Sequence, residues 1–254
     1  MNPEELKSFL NEKADYYNRP NFIESDPIQI PHGFDLREDI EISAFLTAII
    51  AWGNRKSVIS SARKMMTIMG DSPYDFVMSA TDAQMQNLQS FVHRTFNGAD
   101  LYAFVLSLRH LYQYHGGMEP VFAANLTEGS LQPAIHEFRK LFLLEQHPAR
   151  VARHVSDPMK NSAAKRMNMF LRWMVRRDNR GVDFGLWTNL PMNSLSCPLD
   201  VHSGKVARKL GLLMRRQDDA KALSELDASL RKMNPDDPVK YDFALFGLGA
   251  FEGF

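Results

Sequence analysis

Apolar residues recur at three- and four-residue intervals along most of this chain, the spacing of helices that bury one stripe. Met1 to Asn18 reads as a first amphipathic helix, with Asn2 placed to cap it and Pro3 in its first turn. Residues 21–38 are rich in Pro, Asp and Gly and predict an irregular loop. Ile42, Phe45, Leu46, Ile49 and Ile50 predict a helix over 37–52, and Val58, Ile59, Ala62, Met65 and Met66 a second over 55–69. One short helix is expected over 72–88. A longer one follows over 100–114 on Leu101, Phe104, Val105, Leu108, Leu111 and Tyr112, and another over 131–144 on Phe138, Leu141 and Phe142. Towards the C-terminus, Ala222, Leu223, Leu226 and Leu230 predict a helix over 218–232, and a last helix should start near Pro238. No alternating strand pattern and no repeat appear. The expected fold is all-α, with residues 37–144 forming one helical subdomain and residues 1–36 plus 145–254 the other, a cleft lying between them.

The pattern is densest from Ser156 to Leu213. Met167, Phe170, Leu171, Met174 and Val175 form one buried stripe, with Ser162 expected as N-cap and Gly181 as the stop beyond. Lys165 then falls in the first helical turn, where the dipole disfavours an ammonium. A lysine so placed, and partly desolvated, would lose its proton near neutral pH and act as an amine nucleophile. The same wheel puts Asn168, Met169, Arg172 and Arg176 near the Lys165 side, so that face reads as cationic, and a plain solvated basic face is the other reading. Asp200 stands immediately before a further amphipathic helix carrying Val206, Leu210 and Leu213. It is placed either to cap that helix or to present a carboxylate towards Lys165.

Charge sharpens this picture. The net charge is zero, yet residues 147–216 hold 14 Lys/Arg against 4 Asp/Glu, an excess of 10 that the remaining sequence balances with the opposite sign. Such asymmetry predicts one face for a polyanion on an acidic body. The single cysteine, Cys197, excludes an internal disulfide and a multi-cysteine metal or iron–sulfur centre. His110 and His115 are off the spacing of paired zinc ligands, so no metal and no cofactor is expected. The N-terminal stretch has acidic residues and no apolar core, and the longest mostly apolar run, Ile42 to Trp52, is too short to span a bilayer. A cytoplasmic protein without membrane contact is expected.

A lysine opening one helix, followed by PLDVHSGKVARKLGLL around Asp200, resembles the helix-hairpin-helix DNA glycosylases of the endonuclease III superfamily. The stretches AAKRMNMFLRWMVRRDNRGVDFGLW, PLDVHSGKVARKLGLL and DPVKYDFALFGLG are similar to a bacterial family of unknown function placed in that superfamily, over nearly the full length. The resemblance implies the glycosylase type of two-subdomain fold. It implies a monomeric, nucleoid-associated protein with duplex DNA as partner, Lys165 attacking the sugar C1′ of a flipped nucleotide, and Asp200 assisting departure of the base. The separation of 35 residues between Lys165 and Asp200 is nearer to archaeal 8-oxoguanine glycosylases than to endonuclease III, which implies damaged purines as the substrate class. Further likeness nominates Lys160, Asn161, Ser162, Arg166, Arg172, Arg176, His202, Lys205, Arg208, Asn54 and Arg55 as DNA contacts. Trp52, Trp173 and Asp242 are nominated for the base pocket. The superfamily hairpin carries glycines whose backbone approaches a phosphate; residues 158–165 here have none. Two rivals follow: a non-catalytic duplex or branched DNA-binding module of the same fold, and a helical protein whose basic face binds an acidic partner.

Overall fold

The computed structural model describes residues 1–144 and 148–254, and the described residues are almost wholly helical. The N-terminal helix α1 (Pro3–Tyr17) is capped as the sequence predicts. Asn2 accepts from the Glu5 N–H, and Glu5 returns a bond to the Asn2 N–H, both at 2.9 Å. Residues 21–38 are not an irregular loop. They hold α2 (Pro20–Ser25) and two single 3-10 turns, Pro27–Gln29 and Pro31–Gly33. Each of the three starts with proline, whose fixed φ is already helical and whose missing N–H is not needed at a first position.

Helices α3 (Arg37–Ile50) and α4 (Arg55–Ile68) follow. Every residue of α3 from Ile40 to Ile50 is buried, so this helix is central and packs against other elements on all its sides. Its one buried carboxylate, Glu41, accepts from Tyr112 Oη (2.6 Å), Trp187 Nε1 (2.8 Å) and Arg37 Nε (2.9 Å), which offsets the penalty of burying a charge. The single helix expected over 72–88 is two, α5 (Pro73–Ser79) and α6 (Asp82–Asn87). Thr81 and Gln84 form a capping box there, and that box starts a new helix rather than continuing the old one. A two-residue strand pair, Val92–His93 with Phe96–Asn97, leads into α7 (Gly98–Tyr114).

Gly116 and Gly117, both at positive φ, then turn the chain into α8 (Met118–Ala124), an element absent from the sequence reading. Helices α9 (Gln132–Phe142), α10 (Lys165–Val175), α11 (Val201–Lys209), α12 (Ala220–Met233) and α13 (Tyr241–Phe251) complete the chain. Two apolar clusters result. The larger gathers α3 to α10, and the smaller gathers α1, α11, α12 and most of the buried face of α13. Two segments contribute to both: Ala163 belongs to the smaller cluster and Met167 to the larger, while Leu248 belongs to the smaller and Phe243 to the larger. The expected subdomain boundary after residue 144 adjoins residues 145–147, which lie outside the described residues. Among the described residues no helix is long and apolar enough to cross a membrane.

Candidate active site

A short 3-10 turn, Pro158–Lys160, ends at Asn161 in a left-handed conformation (φ 63°), as its residue type permits. Ala164 is left-handed too (φ 44°), which costs about 1–2 kcal/mol for an alanine and fixes where α10 begins. Ser162 is therefore not the N-cap. It lies outside the helix, and its Oγ accepts from the Ala164 N–H at 3.1 Å. Lys165 is the first residue of α10, in the turn where the sequence places it.

Asp200 fills both roles that the sequence leaves open. Its Oδ1 caps α11, accepting from the N–H groups of His202 (2.9 Å) and Ser203 (3.0 Å). Its Oδ2 lies 3.2 Å from Lys165 Nζ. Burial opposes ionisation of this carboxyl, but the Lys165 ammonium and the Ser203 N–H outweigh it and hold Asp200 below the ordinary aspartate value.

The pair stands in the wall of a cavity of about 640 Å³. Phe22, Val58, Ile59, Met169, Phe246 and Phe251 supply its apolar lining, and Asp26, Arg55, Arg172 and Asp242 add to the polar part. The Arg55 guanidinium lies over the rings of Phe246 (5.0 Å) and Phe251 (5.1 Å). Burial pushes Asp242 up to about 6, aided by the charge of Asp200 and opposed by Arg172. Burial also raises Asp26, against the Ile28 N–H and the nearby Arg172, Arg55 and Lys165. A second, smaller cavity, about 450 Å³, shares Lys165, Asp200 and His202 with the first and includes Trp52 and the Ser162–Ala164 backbone.

Several expected DNA contacts are turned inward instead. Arg172 is buried, with Nε on Asp183 Oδ1 (3.1 Å) and Nη1 on Asp242. Arg176 is buried between Asp183, Asp178 and Asp237. The cationic face expected from the helical wheel is thus largely neutralised, because Asp178 and Asp183 just beyond the helix and Asp237 and Asp242 from far along the chain fold onto it. Arg166 is stacked on Trp52 (4.8 Å) and bonded to the Ile49 carbonyl, and burial lowers it to about 10. Arg208 ties Asp218 (2.5 Å) and the Arg215 carbonyl (2.7 Å). Trp173 is fully buried in the larger core and lines none of the cavities described here, so it is not a pocket wall.

Other nominated residues keep open positions. Lys160, Asn54, His202 and Lys205 are exposed, and Arg55 is half-buried in the cavity wall. Asn54 also caps α4 through the Ser57 N–H (3.2 Å). Exposed Asn161 bonds Asp219 (3.2 Å), tying the turn before α10 to the start of α12. Trp52 lies against His154 as well as Arg166, on the side of the smaller cavity. The sequence reading missed Asp26 and Asp183. The only local signal for Asp26 was its position before Pro27, as cap of a proline-started turn.

Behind the Pro198–Asp200 segment, the buried Asp227 accepts from the Cys197 N–H at 2.9 Å. Burial raises its carboxyl from the ordinary aspartate value of about 3.9 to about 6. Between those values the folded chain keeps a proton that the unfolded chain has released, so stability falls as pH rises from about 4 to about 6. Asp227→Asn should remove this loss, raising stability at pH 7 by about 1–3 kcal/mol while matching the parent near pH 4. Denaturant melts at the two pH values check this, and an equal effect at both would contradict it.

A lysine–carboxylate pair at the mouth of two helices, in an all-α chain, defines the site. The chain belongs to a family described as protein of unknown function (DUF2400), whose model matches residues 26–251, a span that includes every residue of the larger cavity named above except Phe22. No curated protein and no solved structure matches the chain.

Proposed function

We propose that this protein is a DNA base-excision glycosylase with associated abasic-site lyase activity, acting on a flipped, damaged purine, with the 8-oxoguanine class favoured. One observation carries the reading: Lys165 Nζ lies 3.2 Å from Asp200 Oδ2 in the wall of a cavity with aromatic sides. An amine beside a carboxylate, in a partly closed pocket, has the parts that nucleophilic displacement at a sugar carbon needs. Lys165 forms the C1′–N bond as the bond from C1′ to the base breaks, and the electrons of that bond leave with the base, which takes up a proton. Asp200 receives the proton the amine gives up, or balances positive charge developing on the sugar. The sugar ring then opens to an imine, from which β-elimination nicks the strand. Lys160, Lys205, His202, Asn54 and Arg55 remain as the duplex-binding groups; the buried Arg172 and Arg176 do not.

Borohydride trapping tests the assignment, because hydride reduces an imine to a stable amine. The intact protein is offered duplexes carrying 8-oxoguanine, uracil, an alkylated purine or an abasic site. The expected result is a covalent adduct with the 8-oxoguanine and abasic duplexes. Salt-sensitive binding to duplex without any adduct would instead identify a non-catalytic DNA-binding module.

A further inference from the structure

Asp26 is a cavity group that the proposed chemistry leaves unused. It is 7 % exposed, and it lines the larger cavity. Its Oδ1 accepts from the Ile28 N–H at 3.1 Å, and no other hydrogen bond to this side chain exists among the described residues. Oδ2 carries no hydrogen bond among the described residues, yet it is not fully enclosed, so it remains open to a donor. An acceptor so placed in a cavity wall is free to bond a donor that enters the cavity. Flat walls stand nearby: Phe246 makes edge-to-face contacts with Phe22 (6.2 Å) and Phe251 (6.1 Å), under the Arg55 guanidinium. Flat aromatic and guanidinium surfaces of this kind suit a planar heterocycle, and the unbonded carboxylate oxygen suits N–H donors on its edge.

We infer that Asp26 is the specificity-determining acceptor of this cavity, selecting guanine-derived bases, whose ring N1–H and adjacent 2-amine meet the carboxylate as a pair of donors. The inference rests on the glycosylase reading and names the base edge which that reading leaves open. Uracil and thymine place their N–H between two carbonyl oxygens, and each would face a carboxylate oxygen in repulsion. Adenine offers one amine beside a bare ring acceptor. Among the four ordinary bases only guanine's lactam–amine edge supplies two neighbouring donors with no acceptor between them.

Single-turnover excision decides the point, using duplexes with 8-oxoguanine, N1-methylated 8-oxoguanine, uracil or an abasic site. Methylation at N1 removes one donor without touching the protein, and should slow excision by the unaltered enzyme at least about 10-fold. Asp26→Asn keeps an oxygen for the Ile28 N–H and turns an amide N–H₂ towards the base. It should lower 8-oxoguanine excision by about 10- to 100-fold, and should lower the ratio of excision to abasic-site trapping with it. Equal rates for the methylated and unmethylated lesion, an unchanged ratio in Asp26→Asn, or preferred excision of uracil would overturn the inference alone. No adduct on the abasic duplex would overturn the glycosylase reading, and this inference with it.

Discussion

Lys165→Gln should abolish the borohydride adduct, a loss of more than about 10³-fold, while the protein stays folded and still binds duplex. The amide of glutamine cannot form an imine, so no reducible intermediate exists at any substrate concentration. Stability should move little. Lys165 is about one-third exposed and among the described residues its ion pair is with Asp200, a partly solvated contact of the kind worth about 0–1 kcal/mol. Asp200→Asn separates the two duties of its carboxylate. The amide oxygen can still accept from His202 and Ser203 at the start of α11, whereas the negative charge beside Lys165 is gone. Adduct formation should fall by about 10²–10⁴-fold, with the melting temperature nearly unchanged. Full trapping by Lys165→Gln would remove Lys165 from the reaction, whatever Asp200→Asn did.

Arg172→Met should be the most destabilising single change near the site, by about 3–5 kcal/mol at pH 8. Its guanidinium bonds Asp183 and Asp242 and lies 4.4 Å from the Phe243 ring centre. Asp183 keeps Arg176 at 3.0 Å, but Asp242 is left buried with, among the described residues, only the weak Cys197 thiol contact. A melting temperature lower by roughly 6–20 °C corresponds to that loss in a chain of this size. The pH dependence follows from the sign of the Asp242 shift. Its carboxyl already titrates at about 6 with Arg172 present, and without Arg172 burial raises it further. Folded Asp242 then holds its proton to higher pH than the unfolded chain does, so stability declines as pH rises through the folded value. The deficit of Arg172→Met should therefore shrink between pH 8 and pH 5. Melts at both pH values test it, and a loss under about 1 kcal/mol at each would rule out an essential ion pair.

Much of this protein was legible in the residues themselves. Helical periodicity located α1, α3, α4, α7, α9, α10 and α12, because one-sided burial leaves a spacing that survives in the chain. First-turn placement of Lys165 and the capping position of Asp200 are local facts, set by the residues within a turn of each. The loop expected over 21–38 failed where proline was read as a breaker rather than as the first residue of α2 and of two short turns. The break between α5 and α6 was missed because the Thr81–Gln84 capping box competes locally with continuation of the helix.

Only tertiary structure decided the charges. A helical wheel shows that Arg172 and Arg176 share a side; it cannot show that Asp183, Asp237 and Asp242 arrive there from up to 70 residues away. The same holds for Asp26, which local sequence marks as a turn cap and the packing of α2, α4 and α13 turns into a wall of the cavity. The 3.2 Å approach of Lys165 to Asp200 likewise depends on where α10 and α11 begin, at the seam between the two apolar clusters. Sequence by itself determined that Asn2 caps α1, that Lys165 and Asp200 lie at helix starts, and which stripes are buried, since those follow from neighbours within a few positions. Which cations stay free, and which carboxylates face the cavity, follow from long-range packing, where burying a charge is tolerated only beside a partner that no local pattern records.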